Sequence, residues 1–190
     1  VDANKNPTGK RVTTNDYDSA DYYYINKSSL PKVYGGFNTS LSWKGFDLSA
    51  IFAYSIGGYI YNRDITMILH NGSLEGRDWS TEILKRWTPD NRYTDVPALS
   101  TTSNDWNSAS TRFLQNNSYM RLKNLTLSYN LPKQWISKLS LSSVQVYVQG
   151  DNLFTIHRNQ GLDPEQGITG ITYYRYPAMR TISGGINVSF

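Results

Sequence analysis

The sequence predicts an all-β fold, an antiparallel up-and-down segment of a transmembrane β-barrel with long extracellular loops. Three observations lead to this fold class. Apolar and polar residues alternate with a period of two over stretches of about ten residues, which is typical of strands with two different faces. The connections between these stretches are in turn long, short, long, medium and long, an asymmetry typical of outer-membrane barrels. No apolar run reaches the roughly 18 residues that a membrane-spanning helix requires.

The composition of the 190 residues narrows the classes of function. Charged residues make up 18% of the chain, aromatic residues make up 14%, and the net charge is +4. Disordered chains are poor in aromatics and rich in net charge, so disorder is excluded. The absence of cysteine excludes disulfides, thiolate metal sites and thiol catalysis. The positive charges are scattered, with no basic patch among spaced aromatics, so no nucleic-acid partner is expected.

The first predicted hairpin has a defined register. Lys44-Gly45 makes a two-residue turn, in which glycine accepts a positive φ without strain. If Trp43 pairs with Phe46, the apolar faces of the two strands fall on the same side, although Ile51 and Ala53 lie on the other face, and a slip of one residue destroys this match. The predicted pairs are Leu41 with Leu48, Phe37 with Phe52, and Ser40 with Ser49.

The rest of the chain divides into strands and loops. A short helix is predicted near 79–87, capped by Asp78 or Ser80 and stopped by Pro89. The alternation breaks phase in the stretch SYMRLK, which indicates either a β-bulge there or a part of the strand that rises above a membrane. The predicted segments are an extracellular loop at 1–30, the hairpin at 33–58, a long extracellular loop at 59–112, two strands at 113–154, an extracellular loop at 155–179 and the last strand at 180–190.

The two faces of the strands are predicted to meet different surroundings, lipid on the apolar side and the barrel lumen on the polar side. Five strands cannot close a barrel, and an open sheet edge is not tolerated in lipid, so further strands of a larger barrel are expected. The predicted lipid-facing residues are Phe37, Leu41, Leu48, Phe52, Val144, Val146, Val148, Ile182, Ile186 and Val188. The predicted lumen-facing residues are Asn38, Ser40, Ser42, Asp47, Ser49, Gln145, Tyr147 and Gln149.

Several stretches occur together in the order that one family shows. They are LPKVYGGFNTSLSWKGFDLSAIFAYSIGGYIYN at 30–62, RWTPDNRYTDVP at 86–97, NNSYMRLKNLTLSYNLP at 116–132, VQVYVQGDNLFTI at 144–156, GLDPE at 161–165 and YPAMRTISGGINVSF at 176–190. Through them the sequence resembles the C-terminal barrel portion of a SusC/RagA-type TonB-dependent outer-membrane transporter.

This resemblance implies a 22-stranded barrel, of which the chain would supply about five strands, in the outer membrane of a Gram-negative bacterium. It also implies a plug that contacts the TonB complex, a SusD-like surface lipoprotein as a lid, and oligosaccharides or peptides as substrates. On this hypothesis the chain forms wall and extracellular vestibule of an importer and is not an enzyme. The alternating Ile186, Val188 and Phe190 would be the signal that the barrel-assembly machinery reads, whereas the alternative is a mere chain end.

Aromatic residues in the loops are the candidate contacts with substrate or lid. Their rings can stack on sugars or pack against a protein surface, and loops commonly carry function. The alternative is that they hold their own loops together. These candidates are Trp79, Trp87, Tyr93, Trp106, Tyr173 and Tyr174.

Charged residues offer weaker candidates. Asp163 and Glu165 flank Pro164, and turn formation explains them without the paired-carboxylate chemistry of a hydrolase. Arg121 and Lys123 would bind lipopolysaccharide phosphates or, as the favoured alternative, be ordinary lumen-facing or rim charges.

No metal or cofactor is expected. Asp2, Asn4 and Asn6 have the spacing of the first ligands of a calcium loop, but the glycine and glutamate that complete such a loop are absent, which favours a solvated polar loop. His70 and His157 lie in separate predicted loops and form no metal-binding motif.

A different class of fold remains as the alternative, a soluble β-sandwich that binds glycans. That fold requires the apolar faces of two sheets to bury each other.

Overall fold

A computed structural model describes residues 16–72, 74–102, 105–159, 161, 163–165, 169–172 and 174–190. The chain divides into two compact units. The sheet unit comprises Lys27–Arg63 and Leu114–Phe190, and the loop unit comprises Val1–Asn26 and Asp64–Phe113.

The sheet unit contains seven strands among its described residues, five of them in one antiparallel sheet. The strands are β1 (Val33–Trp43), β2 (Phe46–Ile56), β3 (Tyr59–Tyr61), β4 (Leu114–Asn116), β5 (Tyr119–Asn130), β6 (Ser143–His157) and β7 (Thr181–Ser189). The large sheet has the order β1-β2-β5-β6-β7, and β3 pairs with β4 in a second, two-stranded sheet. The five strands of the large sheet have the same order in space as along the chain. The topology is therefore an up-and-down meander.

The predicted register of the first hairpin is confirmed. Trp43 pairs with Phe46, Leu41 with Leu48 and Phe37 with Phe52. Both turn residues have positive φ, 47° at Lys44 and 89° at Gly45, as the tight turns that suit twisted strands require. The rings of Phe37 and Phe52 stack at a centroid distance of 4.7 Å, so packing on the apolar face supports the register that the turn sets.

The third predicted strand differs from the structure at its beginning. The sequence predicts one strand from about residue 113, whereas β4 and β5 are separated by Asn117 and Ser118. The side chain of Asn116 accepts a hydrogen bond from the Ser118 backbone N–H at 2.8 Å, a local turn that competes with strand pairing. The backbone N–H of Asn117 donates to the carbonyl of Gly58 at 2.8 Å, so β4 turns towards β3 instead of continuing beside β2.

The predicted bulge in SYMRLK is confirmed and lies at Lys123. Asn124 pairs with Ile51 and Leu122 pairs with Phe52, which leaves Lys123 as an extra residue in β5. Side chains alternate along a strand, so one extra residue exchanges the two faces beyond it. Arg121 therefore lies on the polar face, although its odd number would otherwise place it beside Leu125 on the apolar face.

Short helices occupy the connections. The medium turn between β5 and β6 consists of helix Lys133–Ile136 followed by a 3-10 turn over Ser137–Leu139, with Ile136 buried. Another helix, Arg63–Ile68, follows β3. Among the described residues, no helix combines the length and the apolar character needed to cross a membrane.

The buried apolar residues of the loop unit, among those described, are Leu69, Ile83, Val96 and Phe113. The helix predicted near 79–87 is a shorter 3-10 helix at Thr81–Lys85. Ser80 caps it, since its side chain accepts a hydrogen bond from the Glu82 N–H. The helix stops early because the backbone N–H of Trp87 donates to the carbonyl of Val96 at 2.8 Å instead of extending the helix.

Candidate functional site

The polar face of the large sheet carries a network of hydrogen bonds between neighbouring strands. The Asp47 carboxylate accepts from the Ser42 hydroxyl at 2.5 Å and from the Asn130 amide at 2.7 Å. The Asp151 carboxylate accepts from the Asn124 amide at 2.7 Å and from Gln149 at 3.3 Å. Each carboxylate therefore has hydrogen-bond partners within the sheet. Such partners are needed where a polar face has limited access to water.

The eight residues predicted to face a lumen all share this polar face. The register pairs Ser42 with Asp47 and Ser40 with Ser49, and it places Gln149 in the same row through Thr126. Gln145 links two further strands, since it donates to Ser128 at 3.3 Å and accepts from Asn187 at 3.2 Å. That this side faces a lumen stays a prediction.

The opposite face of the large sheet is apolar, and many of its large side chains are exposed among the described residues. Rows of large side chains cross the sheet, such as Leu41, Leu48, Leu127 and Val148. Leu41 is 67% exposed and Leu127, in the centre of the sheet, is 43% exposed. Soluble monomers rarely expose a continuous apolar surface of this kind, so another apolar medium or partner must cover it.

A cluster of four charges joins β5 to the connection between β6 and β7. This four-charge cluster consists of Arg121, Lys123, Asp163 and Glu165. The Arg121 guanidinium donates to one oxygen of Asp163, to Glu165 at 2.7 Å and to the Thr155 hydroxyl at 2.8 Å. Lys123 donates to both oxygens of Glu165, at 2.6 and 2.5 Å. The bulge makes this arrangement possible because it brings Arg121 onto the polar face while keeping Lys123 nearby.

Asp163 is the most firmly held member of the cluster. Besides Arg121, it accepts hydrogen bonds from the backbone N–H groups of Ala178 at 2.6 Å and Glu165 at 2.9 Å. Burial by itself raises the pKa of Asp163, but these donors and the charge of Arg121 outweigh burial and lower the pKa below its usual 3.8. The side chain is therefore ionised at neutral pH.

The cluster fixes several chain segments at one point. Ala178 lies just before β7, Thr155 lies in β6, and Asp163 begins the Asp-Pro-Glu turn. The amide of Asn117 adds a hydrogen bond to the carbonyl of Pro164 at 2.8 Å, and Pro164 is fully buried. A buried ion pair is favourable only when its remaining polar atoms are also satisfied, and these contacts meet that condition.

A cavity of about 310 Å³ lies beside the cluster. Its lining is mixed, with the Arg121–Asp163 ion pair, the two prolines Pro164 and Pro177, and the basic residue Arg180. This volume is at the lower end of the roughly 300–1,000 Å³ of small-molecule sites.

The candidate aromatic residues do not share one environment. Trp79 donates to the ring of His70 at 3.1 Å, and the Arg112 guanidinium stacks over Trp106 at 4.5 Å, so these two help to hold the loop unit together. Trp87 is 44% exposed, and the side chain of Tyr93 is fully exposed. Tyr174, at 59% exposed, belongs to the sheet unit. Tyr173 lies outside the described residues, and contact of any of these aromatics with substrate or lid stays a prediction.

Other candidates keep their status as predictions or lie outside the described residues. Ile186 and Val188 in β7, and Phe190 after it, are exposed, and their role as an assembly signal stays a prediction. Asp2, Asn4 and Asn6 fall outside the described residues. Within those residues, no group of three or more histidines and acids is placed to hold a metal.

Sequence reasoning missed the four-charge cluster. The sequence predicts a turn at Asp163 and Glu165, and the two residues do form one, but they also pair with Arg121 and Lys123. The predicted alternatives for those two cations were phosphate binding or ordinary lumen or rim charge, whereas Arg121 is 3% exposed and bound to the chain's own carboxylates. Matching spacing was the available signal, because two cations two residues apart face two carboxylates two residues apart.

Comparisons with known proteins agree on one family, although no protein-family model matches the chain. TonB-dependent receptor P3 of Formosa agariphila is 34% identical over 166 residues, covering 82% of this chain and 16% of the relative. TonB-dependent receptor SusC of Bacteroides thetaiotaomicron is 29% identical over 174 residues, covering 91% of this chain and 16% of the relative. The structure of the RagAB peptide importer in its "closed-closed" state matches with a TM-score of 0.81 and 35% identity, over 100% of this chain and 20% of that one.

These matches confirm the predicted resemblance and the predicted fold class. The chain is homologous to a segment of TonB-dependent receptors of the SusC/RagA type, and its antiparallel up-and-down strands match a segment of their barrel. It spans 16% to 20% of the length of these relatives. The relatives named here are receptors and importers, and none is named as an enzyme.

Proposed function

From its homology to TonB-dependent receptors of the SusC/RagA type, we propose that this chain forms five neighbouring strands in the wall of an outer-membrane importer. One observation carries the proposal: a single sheet has an uncovered apolar face and a hydrogen-bonded polar face. In a barrel wall the apolar face meets lipid and the polar face lines the interior. The exposure of Leu41 and Leu127 then has a cause, since lipid covers them.

The loops complete the proposal. The connection between β6 and β7, held by the four-charge cluster, contributes to the extracellular vestibule, and the fully exposed Tyr93 and the half-exposed Tyr174 are candidate contacts for substrate or lid. The relatives include the receptor SusC and a peptide importer. Imported oligosaccharides or peptides, a SusD-like lipoprotein lid and TonB coupling through a plug therefore form part of the proposed function. The segment would act without a cofactor and without bond-making chemistry.

The β-sandwich alternative is not favoured. It requires a second sheet packed over the apolar face, and in the described part of the sheet unit the second sheet has only two strands of three residues each, β3 and β4. Leu48 at 40% and Val148 at 48% exposure show that this face stays open. The homology to barrel receptors adds an independent argument against a soluble module.

Thiol labelling of the full-length receptor tests the orientation of the wall. The segment has no cysteine, so Leu48→Cys and Ser49→Cys introduce single thiols on opposite faces at the same height. In intact outer membranes, a water-soluble maleimide should label Ser49→Cys, whereas only a lipid-soluble reagent should label Leu48→Cys. Equal labelling of both by the water-soluble reagent, or a receptor that stays soluble without detergent, would contradict the barrel wall.

Uptake tests the transport function separately. Cells that lack the full-length receptor should fail to grow on the oligosaccharide or peptide mixture that cells with the receptor use, and a plasmid copy should restore growth. Unchanged growth without the receptor on every such mixture would contradict an import function for the whole protein.

A further inference from the structure

The two carboxylates of the four-charge cluster are held in different ways. Asp163 is 6% exposed and accepts two backbone hydrogen bonds in addition to its ion pair. The Glu165 side chain is 36% exposed, and the hydrogen bonds to its carboxylate come from two side chains, Arg121 and Lys123. Asp163 is therefore built into the fold, whereas Glu165 occupies a position that solvent reaches.

Arg121 and Lys123 together present a fork of cationic donors. Arg121 contributes one guanidinium N–H at 2.7 Å from Glu165, and the Lys123 ammonium lies 2.6 and 2.5 Å from its two oxygens. Arg121 is rigid because it is buried and because Thr155 and Asp163 hold its other nitrogens. Such charge-assisted bonds from a preformed fork recognise any carboxylate of similar reach and not only Glu165.

A second carboxylate can approach the fork from solvent, since the side chains of Lys123 and Glu165 are 33% and 36% exposed. The cavity of about 310 Å³ is lined by Arg121, Asp163 and Arg180 and is a separate space beside the fork. Replacing Glu165 with another carboxylate keeps the balance of two cations and two anions, so the exchange creates no uncompensated buried charge.

We infer that Arg121 and Lys123 form a carboxylate-binding site that Glu165 occupies in the resting protein, and that a carboxylate of the imported compound exchanges with Glu165. Exchange releases the Glu165 contact of the Asp-Pro-Glu turn while the Asp163 contact stays in place. Binding of an anionic substrate thus changes the contacts of this turn locally. The substrate class rests on the proposed function, since it takes the imported compound as the source of the carboxylate.

Acetate binding to the full-length receptor in detergent tests the site itself. Glu165→Ala empties the fork, so acetate should raise the urea midpoint of this variant, whereas acetamide and sodium chloride of equal ionic strength should not. The apparent acetate dissociation constant should be at least about tenfold lower in Glu165→Ala than in the wild-type protein, because Glu165 competes from within the chain. If Glu165→Ala is not recovered folded, the isosteric Glu165→Gln carries the same expectation.

Two control variants show whether the acetate effect depends on the fork of Arg121 and Lys123. Adding Lys123→Met to Glu165→Ala should abolish the acetate effect, and Glu82→Ala, which removes an exposed acid paired with Lys85, should respond like the wild-type protein. Equal stabilisation by acetate and chloride, or an acetate effect that persists without Lys123, would overturn the inference.

Trypsin cleavage after the exposed Arg175 tests the exchange. Acetate should accelerate this cleavage in the wild-type protein by displacing Glu165, whereas Glu165→Ala should be cleaved rapidly with or without acetate. A wild-type cleavage rate that acetate leaves unchanged would overturn the exchange. These results concern the carboxylate site alone, because a receptor that supports uptake but shows no acetate effect keeps the proposed transport function.

Discussion

Tyr147 lies directly across Gly185 of the neighbouring strand and fills the space that a side chain there would occupy. The two residues are paired in the register of β6 and β7. A Cβ added to Gly185 would come within 2.7 Å of the Tyr147 hydroxyl oxygen and 2.8 Å of its ring. Gly185 therefore leaves room for the Tyr147 ring on the polar face. A contact of this kind favours one register of the strand pair, here β6 and β7.

This contact predicts that Gly185→Val destabilises the receptor. The added side chain must displace the outer end of the Tyr147 ring, which is partly exposed and can turn aside, so the cost should be about 1 kcal/mol in the free energy of unfolding, the low end of overpacking costs. Urea titration of the full-length protein in lipid vesicles measures the change. In the Tyr147→Ala background the same substitution should cost much less, and an equal cost in both backgrounds would show that the ring is not responsible.

The buried pair of Arg121 and Asp163 predicts a large stability effect when one partner is removed. Arg121→Met leaves the Asp163 carboxylate without its cation, and breaking a buried pair in this way costs about 3–5 kcal/mol in the free energy of unfolding. Lys85→Met removes one partner of the exposed Lys85–Glu82 pair and should cost at most about 1 kcal/mol. Similar losses for the two variants in urea titration would contradict the burial of the cluster.

The lowered pKa of Asp163 predicts how the cluster responds to acid. A carboxyl group whose pKa is lower in the folded state stabilises the fold above its unfolded pKa, and this contribution disappears as the pH falls through the folded-state pKa. The Asp163 contribution should therefore be constant from neutral pH down to about pH 5 and be lost below about pH 4.

The difference between wild type and Asp163→Asn isolates this effect, since the other acids titrate in both proteins. The gap between their urea midpoints should be constant near neutral pH and narrow as the pH approaches about 3. A gap that widens in acid would mean that the pKa of Asp163 is raised and not lowered.

The two faces of β2 predict opposite responses to charge. Leu48→Arg places a cation on the apolar face, which costs about 2–4 kcal/mol at the midplane of a bilayer. Ser49→Arg, the adjacent residue on the polar face, should be tolerated much better. Heat-modifiable mobility of the folded barrel on gels, together with urea titration in vesicles, measures both, and equal losses would contradict the assignment of the faces.

The sequence was sufficient to predict the hairpin register because two local constraints agree. A two-residue turn at Lys44-Gly45 permits few registers, and the alternation around Leu41 and Leu48 selects one of them. The break of phase in SYMRLK also predicted the bulge from local sequence. Side chains alternate with a period of two, so one extra residue shifts the pattern of apolar and polar positions.

The four-charge cluster could not be predicted in this way. Arg121 and Asp163 are 42 residues apart, and nothing in the alternation connects a strand to a turn that returns over it. Their pairing depends on the path of the connection between β6 and β7, which is a tertiary property. The separate roles of Trp79 and Trp106 were equally hidden, because periodicity does not reveal which partners a loop aromatic meets.

The extra residue at Lys123 has a consequence for how this stretch tolerates change. Deleting Lys123 would leave Leu122 and Arg121 on their present faces, since Leu122 would then follow Asn124 in plain alternation and keep Phe52 as its partner. A strand that kept Lys123 but paired it regularly would turn Arg121 towards the apolar side and Leu122 towards the polar side. What the bulge adds is therefore a second cation, because Lys123 reaches Glu165 from a position that takes no part in the pairing of β5 with β2.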